Sequence, residues 1–442
     1  MPNVGNVTEK VRAAGVIGAG GGGFPTHVKL SARPDVIIAN GAECESLCYC
    51  DRTLMAHHAR DVLDGLLIAA GATSARRVVL AVKQKYSEEI AQFRKLLASS
   101  AYRSIELLLL PDVYPVGDEF VLTNDATGRI VPQGGIPIDI GVVVQNVATL
   151  YNVAQAAKGV PVTERMVSVS GEVPRPSVFS VPIGASFKEL LRACGMTSLS
   201  GLSVLDGGVM MGKIVEPEIS YVSKTTSAIV VLPDDSRPIV ERLSSLERVF
   251  RIAKSVCDQC NFCTELCPRY LLGHRLRPHL MMRRVGFELS LSDGVLAESH
   301  YCSECGICSL YACPLEISPR RVNALLKEKY PRPRTRNLEF EPRPEYDDRR
   351  LPSWRLKTRL GVARYDVNPP KYAGRMTVSQ VNISLTQHVG ETAIPTVAVG
   401  DHVKKGELIA DVRPGALGAA VHASINGRVT SLASESIALS AE

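Results

Sequence analysis

Cys257-Asp258-Gln259-Cys260-Asn261-Phe262-Cys263-Thr264-Glu265-Leu266-Cys267-Pro268 is answered further along the chain by Cys302-Ser303-Glu304-Cys305-Gly306-Ile307-Cys308 and then Cys313-Pro314. Eight of the twelve cysteines lie in these two runs. Three thiols two residues apart fit one tight loop around a cubane iron–sulfur cluster. In two-cluster ferredoxins the fourth cysteine, before proline, ligates the other cluster. The spacing therefore predicts one centre held by Cys257, Cys260, Cys263 and Cys313, and another held by Cys302, Cys305, Cys308 and Cys267. The second run has four residues rather than three before its last cysteine. Tetrahedral zinc is the competing use of four thiolates, but zinc sites are usually built from two separated pairs. Electron transfer follows as the expected chemistry.

Around these runs the chain is ordinary for a soluble protein, with 45% hydrophobic and 22% charged residues over 442 positions, and its length predicts three or four domains. Apolar-rich stretches such as 105–110 and 229–232 are strand-sized, well short of the roughly 18 residues of a membrane span. The first ten residues lack a basic segment followed by an apolar core, so a cytoplasmic, reducing location and unpaired cysteines are expected. The net charge of +6 is partly local, because 331–364 is rich in proline and arginine. That stretch reads as an exposed basic linker. It lacks the recognition motif or aromatic platform of a nucleic-acid binder.

Residues 1–160 alternate helical and strand-like patterns, including a strand at 36–39, a helix at 59–70, a strand at 77–82 and a helix at 87–98. They read as an α/β domain. Residues 161–235 read as a small β-grasp domain around a helix at 187–194. The cysteine segment, 244–330, is otherwise helical, with helices at 278–284 and 319–329, and its clusters should stabilise it. After the linker, 331–375, residues 376–442 return to short strands separated by Gly400-Asp401, Lys405-Gly406 and Asn426-Gly427.

Near the N-terminus stands Gly18-Ala19-Gly20-Gly21-Gly22-Gly23-Phe24-Pro25-Thr26. Successive glycines let backbone amides approach a phosphate or a flat ring. Taken alone, such a tract is also consistent with a flexible turn, and it is not the Gly-x-Gly-x-x-Gly dinucleotide fingerprint. Two acidic segments leave strand ends, Asn40-Gly41-Ala42-Glu43-Cys44-Glu45 and Tyr114-Pro115-Val116-Gly117-Asp118-Glu119. Strand ends are where α/β proteins build ligand sites.

These segments, with Val143-Val144-Gln145-Asn146-Val147-Ala148-Thr149, resemble the flavin domain shared by the NADH-oxidising flavoprotein of respiratory complex I and the RnfC component of Rnf electron-transport complexes. Residues 397–410 and 421–429 resemble the hammerhead fold of biotinyl and lipoyl carriers, although no lysine follows Lys405 to carry a cofactor. The order of flavin domain, β-grasp (SLBB-like) domain, two-cluster ferredoxin domain and C-terminal barrel-sandwich hybrid resembles the PduS family of microcompartment cobalamin reductases. In the Rnf component the last segment stands first instead.

The resemblance implies FMN bound by Gly18, Gly20, Gly21, Gly22, Gly23, Phe24, Lys29, Asn40, Glu43, Tyr114, Gly117, Asp118, Gln145, Asn146 and Thr149. It also implies Glu45 and Glu119 as the catalytic acids where nicotinamide docks. The chain departs from the complex I pattern at Ser31-Ala32, where an aromatic residue stacks on adenine, at Gln145-Asn146, a paired asparagine there, and at Ser46, a proline there. Cys44, Cys48 and Cys50 match no standard metal spacing and read as free thiols.

Two functions from different classes are expected. In the first, NADH reduces FMN, two [4Fe–4S] clusters carry single electrons onward, and cobalamin accepts them for an adenosyltransferase inside a microcompartment. In the second, the chain is an electron-transfer subunit serving a protein partner, with 331–364 as the docking contact. A scaffold braced by its clusters is the blander alternative, and shell contacts and homo-oligomerisation stay open.

Overall fold

The computed structural model describes residues 4–287, 292–332 and 340–442. The N-terminal part is built on four parallel strands in the order Ile105–Leu110, Arg77–Lys83, Val36–Gly41 and Val142–Asn146. Val36, Ile37, Ile38 and Ala39 are all buried, as expected of a strand covered on both faces. One face is covered by helices Cys50–Thr73 and Val147–Ala157. Their backbones meet so closely that a Cβ on Gly65 would lie 1.9 Å from the Leu150 carbonyl oxygen, so glycine is required there. The other face packs on helix Glu119–Thr127 through Leu122 and Ala126.

The β-grasp part forms a sheet in the order Lys371–Arg375, Ser177–Pro182, Glu164–Gly171, Ala228–Pro233, Leu202–Asp206 and Lys213–Val215, with helix Phe187–Ala193 packed into its core. The cysteine segment is held by helices Leu246–Val256, Pro278–Phe287 and Pro319–Lys329 around Val249, Ala253, Met281, Met282, Val322 and Leu326. The C-terminal part is two small antiparallel sheets, one containing Gln380–Ser384, Ser436–Ala441 and Gly427–Leu432, the other Ile394–Pro395, Leu408–Asp411 and Val421–His422. No helix among the described residues is long and apolar enough to cross a membrane.

The stretch expected as an exposed linker is different. Residues 333–339 of it lie outside the described residues, and from residue 340 onward it is a strap seated on the other parts. Tyr346, Leu351, Leu356 and Leu360 are buried, and Leu351–Pro352 pairs antiparallel with Val113–Tyr114 of the N-terminal part. Arg350 donates to both carboxylate oxygens of Asp125. The strap then supplies Lys371–Arg375 to the β-grasp sheet, parallel to Ser177–Pro182. Arg349, Arg350, Arg364 and Arg375 of the strap are interdomain ion-pair donors, which composition alone cannot distinguish from a solvated charge run.

The C-terminal part reaches back to the glycine tract. The Val389 N–H donates to the Gly23 carbonyl at 3.0 Å. Lys224 is fully enclosed where three parts meet, and its ammonium donates to Gly15 O at 2.7 Å and Ala420 O at 2.6 Å. Burial lowers its pKa to about 7.

Candidate redox site

The glycine tract folds into a closed loop. Gly18 N–H donates to Phe24 O at 2.8 Å, and Gly23 N–H donates to Gly18 O at 3.0 Å. Positive φ at Gly21 (98°) and Gly23 (60°) explains the glycines there. Thr149 Oγ accepts from Ala19 N–H at 2.8 Å, and Arg165 donates to Ala19 O at 2.6 Å, so both brace the loop from below. Gly20, Gly21 and Gly22 are exposed, and their N–H groups have no partner among the described residues. A Cβ on Gly21 or Gly22 would meet nothing within 4 Å, so the open side of the loop has room for a ligand. Free amides on a glycine loop suit a phosphate.

The strand ends face this loop. Lys29 Nζ lies 3.1 Å from Glu119 Oε1 and 3.1 Å from Val144 O. Asn40 donates to Gly117 O at 2.9 Å and accepts from Ala42 N–H at 3.1 Å, which locks the two acidic segments together. A Cβ on Gly117 would come within 3.1 Å of Ala42 Cβ and 3.2 Å of Cys44 Sγ, so glycine permits that approach. Gln145 is buried, and its Nε2 has no hydrogen-bond partner. An orphaned amide beside free backbone donors fits a flavin's oxygen-rich edge and phosphate. The residues present therefore fit FMN.

Glu43 turns inward, accepting from the N–H groups of Asp51 at 2.7 Å and Arg52 at 3.0 Å. Burial, reinforced by the Asp51 carboxylate, raises its pKa to about 7. Asp51, raised in turn by burial, accepts from Asn146 Nδ2 at 2.6 Å. A Cβ on Gly20 would touch the Asn146 side chain at 3.3 Å, so this buried acid pair stands one residue behind the loop.

Other expected site residues point toward the cysteines. Tyr114 is buried, and its hydroxyl donates to the Cys305 carbonyl at 2.7 Å. Asp118 caps helix Glu119–Thr127 and accepts from Arg269 at 2.6 and 3.0 Å. Arg269 also stands 3.7 Å from the centre of the Phe120 ring. The two expected catalytic acids have separate surroundings. Glu119 is half exposed beside Lys29, whereas Glu45 lies under the β-grasp loop, accepts from Met210 N–H at 2.9 Å and has its pKa raised by burial. Arg242 and Arg320 hold the same loop, donating to Met210 O at 3.1 and 2.6 Å.

The eight cysteines line two separate hollows. One brings Cys267 to Cys302, Cys305 and Cys308; the other brings Cys313 to Cys257, Cys260 and Cys263. The two loops share a backbone pattern, with positive φ at Gln259 and Asn261 in the first run and at Glu304 and Gly306 in the second. This turns amides onto sulfur: Glu304 N–H donates to Cys302 Sγ at 3.3 Å, and the N–H groups of Phe262 and Ile307 bond Cys260 and Cys305. Burial and then the neighbouring Cys313 push the Cys263 thiol up to about 12, a cost that metal ligation would relieve. The thiols and their amide donors fit iron–sulfur ligation. Cys44 and Cys48 are half-buried and pack against apolar neighbours, and burial raises Cys44 to about 11. Of that trio, Cys50 joins Glu43 and Asp51 in a close group of three metal-binding side chains among the described residues.

Sequence reasoning missed Arg269, Arg320 and Arg242. The first had a signal, since it follows Cys267-Pro268 directly; the others act on a loop distant in sequence.

Comparison with known proteins agrees with this division. Residues 11–155 match the Nuo51 FMN-binding domain, 166–213 the SLBB domain, 256–318 the 4Fe-4S dicluster domain and 374–442 the RnfC barrel sandwich hybrid domain. Cobalamin reductase PduS of Citrobacter freundii is 42% identical over 437 residues, which cover 98% of this chain and 95% of that protein. The Salmonella typhimurium protein of the same name is 42% identical over 438 residues, with the same shares. The C component of the proton-translocating ferredoxin:NAD(+) oxidoreductase complex of Clostridium ljungdahlii is 32% identical over 267 residues, 59% of this chain and 55% of that one. With near-complete coverage of both PduS proteins and the expected order of domains, the chain belongs to the PduS cobalamin reductase family.

Proposed function

We propose that the chain is an NADH-dependent cobalamin reductase that uses FMN and two [4Fe–4S] clusters. The observation that carries this reading is the segment Tyr114–Glu119. One end of it, Glu119, pairs with Lys29 beside the glycine loop, while Tyr114 and Asp118 bond the two cysteine loops through Cys305 O and Arg269. A single short segment thus ties the flavin site to the cluster segment.

In this reading FMN is held by the Gly20, Gly21 and Gly22 amides, with Gln145 and Lys29 at its polar edge. The flavin supplies the conversion of a two-electron hydride donor to one-electron chemistry. Lys29 and Glu119 stand as a mutually compensated ion pair at the open edge where nicotinamide approaches. The paired Glu43 and Asp51, sharing burial and opposing ionisation, hold a proton near neutral pH behind the loop. The hollow containing Cys267 is the nearer one to this site, since Tyr114 contacts Cys305 directly, and the hollow containing Cys313 is the outer one. Electrons balance as NADH plus two cob(II)alamin giving NAD+, a proton and two cob(I)alamin.

The family placement supports cobalamin as acceptor. In this reading an adenosyltransferase consumes the cob(I)alamin, and the location is a microcompartment lumen. Anaerobic addition of NADH to the reconstituted protein, followed optically, tests the reading. Flavin and cluster absorbance should bleach, and added cobalamin should be reduced as the absorbance recovers. No bleaching would refute the NADH-fed flavoprotein; bleaching without cobalamin reduction would redirect the electrons to a protein acceptor.

A further inference from the structure

We propose that cobalamin is received in an open groove of about 640 Å³ between the strap and the cysteine loops. The inference rests on the cobalamin reductase reading and adds where on the chain the acceptor sits. The floor of the groove includes Phe262, Leu266 and Ala312. Each immediately precedes a cluster cysteine, namely Cys263, Cys267 and Cys313, so residues beside both thiol groups reach this one surface. An acceptor resting here is one residue from the ligands of either centre.

The outer wall is helix Ser353–Arg359 of the strap. Leu356 on its inner face is buried, whereas Trp354, Arg355, Thr358 and Arg359 face outward into the groove. Trp354, the single tryptophan of the chain, is 63% exposed, and Phe262 across the groove is 48% exposed. Two exposed aromatic side chains lining one groove form an apolar patch of the kind that marks a ligand or partner site. Glu265 in the groove is already neutralised by Arg349 at 2.6 Å, while Arg355 and Arg359 make no ion pair with any described residue. Arg355 instead stands 5.3 Å from the centre of the Trp354 ring.

The groove thus offers two exposed aromatic side chains and two guanidinium groups that no carboxylate of the described residues neutralises. Cobalamin matches it. The corrin is a broad apolar macrocycle with carboxamide edges, and its nucleotide loop carries one phosphodiester, for which guanidinium is the better partner. The groove is open along its length, so a macrocycle wider than its walls can rest one face on it. The step served is transfer of one electron, with Co(II) becoming Co(I), no atom exchanged and the electron originating in NADH.

The test is binding, measured on the holoprotein by ultrafiltration with hydroxocobalamin. Flavin content and cluster absorbance of the same samples show that each variant is folded. Arg355→Glu combined with Arg359→Glu should weaken binding on the order of tenfold or more, as loss of a charge-assisted contact and gain of repulsion require. Arg355→Lys with Arg359→Lys should retain most of it. Trp354→Ala, on the exposed side of the helix, should weaken binding independently of charge. Hydroxocobalamin should also quench Trp354 emission in the parent protein. Parent-like affinity in both the glutamate and alanine variants overturns the groove while leaving the cobalamin reading intact. If the parent protein neither binds nor reduces cobalamin, the reading itself fails. If the variants lose only transfer to an added adenosyltransferase, the groove serves a protein partner and the proposal is wrong.

Discussion

Asp118 accepts both terminal nitrogens of the Arg269 guanidinium, at 2.6 and 3.0 Å, with both side chains almost wholly buried. Asp118 begins the helix that follows the flavin-site segment, and Arg269 stands two residues after Cys267. A bidentate pair of this kind fixes orientation as well as distance.

Breaking a buried pair from one side leaves the other charge uncompensated, at a cost of about 3–5 kcal/mol. Arg269→Met should therefore lower the thermal midpoint of the holoprotein. It should also slow bleaching of the cluster absorbance by NADH more than bleaching of the flavin. An unchanged midpoint, with flavin and clusters still bleaching together at the parent rate, would remove this pair from the link between the two centres.

The grouping of thiols into two hollows gives a cleaner test. Cys267→Ser should damage the centre that also uses Cys302, Cys305 and Cys308, and Cys313→Ser the one that uses Cys257, Cys260 and Cys263. Low-temperature electron paramagnetic resonance of the reduced variants distinguishes the two signals. Each serine variant should lose the signal of the opposite run, and loss of the same run's signal would show uncrossed ligation.

These cysteines were legible because their information is local: a loop of three thiols and a cysteine before proline specify their own turn. The strands 36–41 and 77–83 and helix Pro319–Lys329 were legible for the same reason, through patterned burial. Glu45 was not, because its partner is the backbone of Met210, 165 residues away. The strap from residue 340 onward was hidden by its composition. Leu351, Leu356 and Leu360 are too sparse among prolines and arginines to show a period, and Leu351 is ordered by pairing with Tyr114, far off in the chain.

The buried acid pair carries a pH dependence. The Glu43 pKa rises from 4.5 to about 7 on folding, because burial and the Asp51 carboxylate disfavour its charge. The folded chain then holds more protons than the unfolded chain between those values. Stability is highest below pH 4.5 for this group and declines as pH rises through 7. Glu43→Gln should lessen that decline, by on the order of 1–2 kcal/mol once partial exposure is allowed for, while the buried Asp51 keeps a share of it. Thermal midpoints of parent and variant, measured at mildly acidic and mildly alkaline pH, check this; parallel curves would show that Glu43 titrates normally.

Glu119 and Glu45, expected to act together at the nicotinamide, are separated by their contacts, and the two substitutions should differ accordingly. Glu119 is half exposed at the open edge of the loop and pairs with Lys29, whose ammonium also donates to Val144 O. Glu119→Gln keeps the side-chain shape and leaves the glycine-loop amides untouched, so FMN should stay bound. It removes a charge-assisted contact of roughly 1.5–3 kcal/mol, so stopped-flow reduction of the flavin by NADH should slow on the order of tenfold. Glu45→Gln alters a group buried against Met210, on a loop held from the far side by Arg242 and Arg320. It should leave flavin reduction near the parent rate and instead loosen the β-grasp loop over the cysteine segment, seen as faster amide exchange at Met210. Equal slowing of flavin reduction in both variants would place Glu45 back at the nicotinamide.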